Sequence, residues 1–332
     1  MRKWLGIMLI GSAALAWVFI AWPRPYHFEE TALTIESPKR MALLPMLRAT
    51  VLHAKPKPFA GSLNVLIAGI PGKDNPAPNL TDTVMVAHIN TETNRAYLFS
   101  LPRDLLVRAP DSAWYSRLNN LYERGGITAL RLKAEDVTGL EIHRYIVADL
   151  NAVREIVDAL DGVNVYVEKD IFDPRFPGSG ATYDTFELKK GWRYLDGKTA
   201  TRYVRTRNDR DGDFGRMRRQ QQLLEALKEK ITGLSYIWDI PIFLKIFDSV
   251  EKHMRTNFSA GELVQIFEWA RALTHGHTSI TPLDADPAKH LFASGDFWFG
   301  NERADIVKPI QGIEQYAAVR AYVEQVIKNR DW

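Results

Sequence analysis

The sequence predicts an α/β (α+β) fold: a three-layer α-β-α domain with a mixed central sheet, preceded by one N-terminal transmembrane helix. Three observations carry the domain. Apolar runs between residues 64 and 101 are short and nearly continuous, which suits strands covered on both faces. A strand–helix–strand pattern occupies 142–167, and segments 214–232, 260–273 and 312–329 show helical periodicity with charged outer faces.

Taken in order, Trp4 to Trp22 contains no charged side chain, and 19 residues at helical rise span ~28 Å, close to the hydrocarbon thickness of a bilayer. Arg2 and Lys3 precede this run, so the N-terminus is expected in the cytoplasm and the remainder outside it, as a single-pass cell-membrane protein. A cleaved signal peptide ending near Ala14-Leu15-Ala16 is the rival reading. The apolar run continues past that point to Trp22-Pro23-Arg24, which has the character of an interfacial anchor. Residues 24–60, with Lys55-Pro56-Lys57-Pro58, read as a stalk carrying one short helix at 40–53. Residues 61–332 form one globular domain, since no repeat or second composition regime follows.

Within that domain, 64–69, 83–89 and 95–101 are expected strands, and 142–149 is a fourth. Asn151 to Leu160 reads as a helix opening on an N-cap residue, and Val163 to Val167 as the strand that closes a β-α-β unit after Asp161-Gly162.

Composition excludes several chemistries. The 332 residues hold 46% hydrophobic side chains, enough for a buried core, and no cysteine, so disulfides, thiolate metal sites and a Cys nucleophile are absent. Lys and Arg number 43 against 40 Asp and Glu, a formal charge of +3 that is too small for global attraction to polyanions. Gly69-Ile70-Pro71-Gly72-Lys73-Asp74 is too short for a P-loop and has Asp where Ser or Thr is required. No G-x-S-x-G or H-E-x-x-H motif occurs, and His275-x-His277 is isolated.

Residues 200–220 carry the strongest chemical signal, with seven Arg, three Asp and no Lys. Exclusive use of arginine favours forked recognition of phosphate or carboxylate, although a solvated, salt-bridged charge run has the same composition. Tyr203, Arg205 and Arg207 share a face only where the chain is extended or leaving a helix. Arg216, Arg219 and Gln220 align on one side of a helix beginning near Phe214, with Asp213 placed to cap it. Ser100-Leu101-Pro102-Arg103-Asp104 ends a strand, where it either lines a crevice or makes a turn with an ion pair. Asp82, between Thr81 and Thr83, either holds Mg²⁺ or makes an Asx turn.

The ordered set of these fragments resembles the LytR-CpsA-Psr family of cell-wall glycopolymer transferases over about residues 63–233, more weakly to the end. It rests on Leu66-Ile67-Ala68-Gly69, Thr81-Asp82-Thr83, Ser100 to Asp104, Leu118-Asn119-Asn120-Leu121-Tyr122 and Ile156 to Val163. It continues through Leu195-Asp196-Gly197, Tyr203 to Arg207, Gly212 to Arg216 and Arg219-Gln220-Gln221. The resemblance implies transfer of a phosphoglycan from a polyprenyl-pyrophosphate carrier to peptidoglycan or another envelope acceptor, without nucleic acid as partner. On the matching positions, Arg103, Arg205 and Arg207 would grip the pyrophosphate, with both 205 and 207 facing solvent, and Arg216 and Gln220 would complete the pocket. Lys73, Asp104, Asp213 and Arg219 join them as substrate-binding candidates. Asp82 would hold Mg²⁺ or help activate the acceptor hydroxyl, and an apolar tunnel between sheet and helices would take the prenyl chain. One departure stands out: the family's usual Asp two residues after Gly69 is Pro71 here, and its usual Arg is Lys73, which leaves Asp74 or an altered loop to compensate. A non-catalytic binder of lipid pyrophosphate, a pyrophosphatase and a nucleic-acid-binding regulator are the competing readings.

Overall fold

The elements of the computed structural model are, in chain order, β1 (Ser62–Ile70), β2 (Thr83–Asn90), β3 (Arg95–Leu101), β4 (Leu106–Arg108), β5 (Tyr115–Arg117), α1 (Leu121–Thr138), β6 (Arg144–Asp149) and α2 (Leu150–Ala159). They continue as β7 (Val163–Val167), β8 (Ile171–Pro177), β9 (Tyr183–Leu188), β10 (Gly191–Leu195), α3 (Gly197–Tyr203) and α4 (Gly212–Thr232). Last come β11 (Met254–Thr256), β12 (Thr278–Pro282), β13 (Phe292–Phe299), β14 (Glu302–Pro309) and α5 (Ala317–Lys328). The structure describes residues 61–328 apart from 74, 76, 94, 111–113, 179–181, 209–211, 235–244, 247–248, 250–251, 260–261, 263–265, 267–277 and 283–290. The expected anchor, stalk and short helix at 40–53, Asp74, His275, His277 and most of the helix expected at 260–273 lie outside the described residues.

β1, β2 and β3 match the strands expected from their apolar runs, and β3 ends in five consecutive buried residues, as strands covered on both faces should. The central sheet has the order β11-β6-β1-β2-β3-β12 and is mixed. β1 and β3 both run antiparallel to β2, β6 is parallel to β1, and β12 is parallel to β3. The carboxyl ends of β1, β3, β6 and β12 therefore share one edge of the sheet with the start of β2, and ligands of layered α/β folds collect at such an edge.

On one face Leu66, Ala68, Val84, Val86 and Phe99 pack against Leu130, Ala134 and Val137 of α1 and Val319 and Val323 of α5. The α1 residues recur at helical spacing, so one stripe of the helix meets the sheet. Leu63, Val65 and Ile89 cover the other face with Phe258. Each of the Leu, Val, Ile and Phe side chains taken from water contributes on the order of 1.5–3 kcal/mol.

Two local expectations need correction. β7 does not return to the central sheet beside β6; it pairs antiparallel with β10 in a two-stranded sheet. Its burial alternates residue by residue, so only one face is packed, unlike the doubly covered strands of the main sheet. The cap of α2 is Asp149 rather than Asn151: its Oδ1 accepts from the Ala152 amide at 2.9 Å, which places the cap two residues earlier. A second core joins α2, α3 and α4 to β7–β10 through Val157, Val165, Phe176, Phe186, Tyr203 and Leu223. That core holds the arginine-rich segment in place.

Candidate anion-binding site

Asp82 stands at the shared edge, just before β2, and the backbone around it is tied on both sides. Its amide donates to the Gly69 carbonyl at 2.8 Å, and the Thr81 amide and hydroxyl each donate to the Asn119 carbonyl at 3.0 Å. The Asn119 amide donates in turn to the Arg103 carbonyl at 3.0 Å. Buried Asn119 thus couples the Asp82 backbone to the turn after β3.

Guanidinium groups reach this carboxylate from separate parts of the chain. Arg103, buried, donates through Nη1 to Asp82 Oδ1. Its Nε lies 3.4 Å from Asp104 Oδ2, and Asp104 Oδ1 lies 3.5 Å from Arg117 Nη1. The Pro-Arg-Asp turn therefore makes its own ion pair and also delivers Arg103 to the edge. Arg216, only 3% exposed, comes from α4; its Nη2 donates to the Asp82 carbonyl at 3.0 Å and its Nη1 lies 3.8 Å from Oδ1. Arg205 follows α3. Burial pushes its guanidinium below the ordinary range, the Asp82 charge opposes that shift and the Arg202 charge adds to it. It stays cationic at any physiological pH.

The sequence expected Arg205 to face solvent, and the structure half-buries it instead, with its guanidinium 5.3 Å from the centroid of the Phe176 ring. Arg207 is the exposed one. Arg219 and Gln220 lie on the expected side of α4, but they turn to backbone. Arg219 Nε donates to the Tyr203 carbonyl at 3.1 Å and its Nη2 to the Thr206 carbonyl, while Gln220 Nε2 donates to the Val204 carbonyl at 3.4 Å. These bonds fix the loop that follows α3, whose own start is capped by Asp196 accepting from the Thr199 amide at 2.7 Å. Gln221 fastens the helix to the sheet through the Ser100 hydroxyl at 2.6 Å. α4 begins at Gly212, so Asp213 lies in its first turn rather than ahead of it; its side chain is outside what is described.

Lys73 is exposed in the turn after β1 and takes no part in this group. The Pro71 carbonyl accepts from Asn75 Nδ2 at 2.8 Å, which closes the loop on itself. Gly72 has φ +88°, and a Cβ there would lie 3.0 Å from the Asp149 side chain, so only glycine lets the loop pass so close. Arg117, Arg202 and Phe176 were not singled out from the sequence, and Asn119 entered only as part of the Leu118-to-Tyr122 fragment, with no role assigned to it. Arg202 belonged to the arginine-rich segment; for Phe176 and Arg117 no sequence signal existed.

Among the described residues, the Asp82 carboxylate is the candidate to hold a resident metal ion. Among the described residues no group of three His, Asp or Glu side chains converges, and the Asp82 carboxylate already faces two guanidiniums. From the described residues a magnesium ion there would take the Asp82 carboxylate, with ligand oxygens and water suited to complete its shell.

Comparison with known proteins gives this arrangement a context. The LytR_cpsA_psr family matches residues 48–300. The regulatory protein MsrR of Staphylococcus aureus is 28% identical over 207 residues, covering 62% of this chain and 59% of that protein. The chain thus spans less than two thirds of the length of that relative. The polyisoprenyl-teichoic acid–peptidoglycan teichoic acid transferase TagT of Bacillus subtilis is 26% identical over 236 residues, covering 70% of this chain and 71% of that one. Among solved structures, B. subtilis TagV superposes with a TM-score of 0.63 at 20% identity, over 82% of this chain and 99% of that one, which establishes the likeness of fold.

Proposed function

The chain belongs to the LytR_cpsA_psr family, and from that premise we propose that it transfers a phosphoglycan from a polyprenyl-pyrophosphate carrier to a hydroxyl of peptidoglycan or another envelope polymer. One observation carries the reading: Arg103 and Arg216, which come from separate segments, meet at Asp82, and the Asp82 charge acts in turn on Arg205. An edge where forked cations converge on the Asp82 carboxylate suits a ligand that brings more negative charge than Asp82 does. The name of the TagT transferase supports the choice of a polyisoprenyl-linked donor.

The chemistry follows from that geometry. A diphosphate entering the edge competes with Asp82 for Arg103 and Arg216 and releases the carboxylate from both. The acceptor hydroxyl oxygen then bonds to the phosphorus bearing the glycan, the bond from that phosphorus to the bridging oxygen breaks, and prenyl phosphate leaves. Asp82 takes the hydroxyl proton. Positioning and neutralisation of charge on the transferring group supply most of the acceleration, so no covalent intermediate on the protein is needed. Arg219 and Gln220 act at one remove, by holding the loop that carries Arg205. Asp82 is the residue that would hold a magnesium ion arriving with the diphosphate, where the cation would offset phosphate charge.

The three-layer arrangement, the tunnel for the prenyl chain and the membrane placement belong to the same proposal. A retained helix at residues 4–22 and a stalk to residue 60 would keep the domain at the outer bilayer surface, raising its effective concentration near a lipid-borne donor. The test uses the full chain in detergent with a radiolabelled polyprenyl-pyrophosphate glycan and peptidoglycan. Label should pass to peptidoglycan with one prenyl phosphate released per transfer. Tight binding with no turnover makes the protein a binder, and prenyl phosphate release without labelled peptidoglycan makes it a pyrophosphatase.

A further inference from the structure

The loop after α3 is held from one side by α4 and from the other by the β8–β9 hairpin, which the transfer chemistry does not use. Described residues of α3 and of that loop meet the hairpin at several points. Thr206 Oγ1 donates to the buried Asp173 Oδ2 at 2.7 Å, and Asn208 Nδ2 donates to the Phe172 carbonyl at 2.8 Å. Arg205 lies over the Phe176 ring at 5.3 Å, and Arg202 lies over the same ring at 4.8 Å and over Phe186 at 5.1 Å. Arg202 also donates through Nη2 to the Thr185 carbonyl at 3.0 Å. The two rings contact each other with centroids 5.7 Å apart. The hairpin shifts register between Asp173 and Phe176, the kind of irregularity that re-aims a side chain.

Two like charges on one side of the molecule repel, and a half-buried guanidinium has lost part of its hydration. An aromatic face offsets both costs, because its quadrupole attracts cations while its apolar body fills the space beside them. We propose that the β8–β9 hairpin is a brace for the arginine loop, and that Phe176 is the positioning residue that seats Arg205 toward the Asp82 edge. The proposal rests on the reading that Arg205 meets a diphosphate there.

The test compares the full chain with Phe176→Leu, which keeps apolar bulk but removes the π face, and Phe176→Tyr, which keeps the face. Affinity for inorganic pyrophosphate is measured by calorimetry, melting temperature by circular dichroism, and the Arg205 guanidinium signal by NMR. The brace predicts that Phe176→Leu binds pyrophosphate about tenfold more weakly while its melting temperature falls by only about 2–4 °C, that Phe176→Tyr stays within about threefold of wild type, and that only the Leu variant loses the ring-current shift at Arg205. Equal losses in Leu and Tyr, or none in either, overturn it. Asn208→Ala removes an exposed tie without touching the core and should weaken binding about threefold; unchanged affinity counts against the brace. Equal binding by wild type and Arg205→Ala would defeat the diphosphate reading instead. The NMR arm then decides the brace by itself, since an Arg205 signal unmoved by Phe176→Leu overturns it.

Discussion

Arg216 holds Asp82 at two points, its Nη2 on the Asp82 carbonyl at 3.0 Å and its Nη1 3.8 Å from the carboxylate. Backbone position and side-chain charge of the same residue are thereby set by one guanidinium from α4. Lysine cannot reproduce the fork, so Arg216→Lys is expected to lower turnover at least about tenfold while leaving the fold intact. Arg216→Ala leaves the Asp82 carbonyl without this donor and opens a buried gap, and should cost about 2 kcal/mol in a denaturant titration.

Asp82→Asn separates binding from chemistry. Removing the carboxylate takes one negative charge away from Arg103 and Arg216, so inorganic pyrophosphate should bind more tightly than to wild type in the absence of metal. Transfer should fall by about 10²-fold or more, because the proton acceptor is gone. Parallel calorimetry and turnover assays check the pair, and weaker pyrophosphate binding by this variant would mean that the carboxylate attracts rather than competes.

Arg205 and Arg207 should behave differently despite their spacing. Arg207→Ala, at an exposed position, is expected to reduce turnover with no change in melting temperature. Arg205→Ala should reduce turnover further and also lower stability by about 0.5–1 kcal/mol, since its contact with Phe176 is lost. Thermal melts on the two purified variants distinguish them.

His88 gives the domain a pH limit unrelated to catalysis. It is buried on β2, its Nδ1 is 2.7 Å from Asn64 Oδ1, and burial lowers its pKa below 6.5, with His143 adding to the shift. A folded-state value below the unfolded one means the unfolded chain binds the proton first, so stability should be present above about pH 6.5 and fall as pH drops through and below it. His88→Gln should flatten that acid limb of the stability profile. A chemical denaturation series from pH 5 to pH 8 is the check, and identical slopes for the two proteins would assign the acid limb to other groups.

Much of this site could be read from the residues, and the part that could not has a common cause. Arginine in place of lysine pointed to an anion, and the spacing of Arg216, Arg219 and Gln220 correctly put them on one side of a helix. Spacing does not say what covers that side. Arg216 meets Asp82, whereas Arg219 meets carbonyls of a loop thirteen to sixteen residues earlier in the chain. The short strands β11 and β12 of the central sheet carried no apolar run and were not foreseen, whereas β1, β2 and β3 announced themselves through such runs. The β8–β9 hairpin did not, because its exposed Phe172 and Tyr183 and buried Asp173 break the alternation that marks a half-wet strand. For the same reason Phe176 looked like one more aromatic until its neighbours were known.

Co-crystallisation of the full chain with a short-chain prenyl pyrophosphate puts the clamp itself to the test. The diphosphate should lie within hydrogen-bond distance of the guanidiniums of Arg103, Arg205 and Arg216, with Asp82 released from at least one of them. A diphosphate bound elsewhere, with Asp82 still paired to Arg103 and Arg216 as in the free protein, would contradict the assignment of this edge as the donor site.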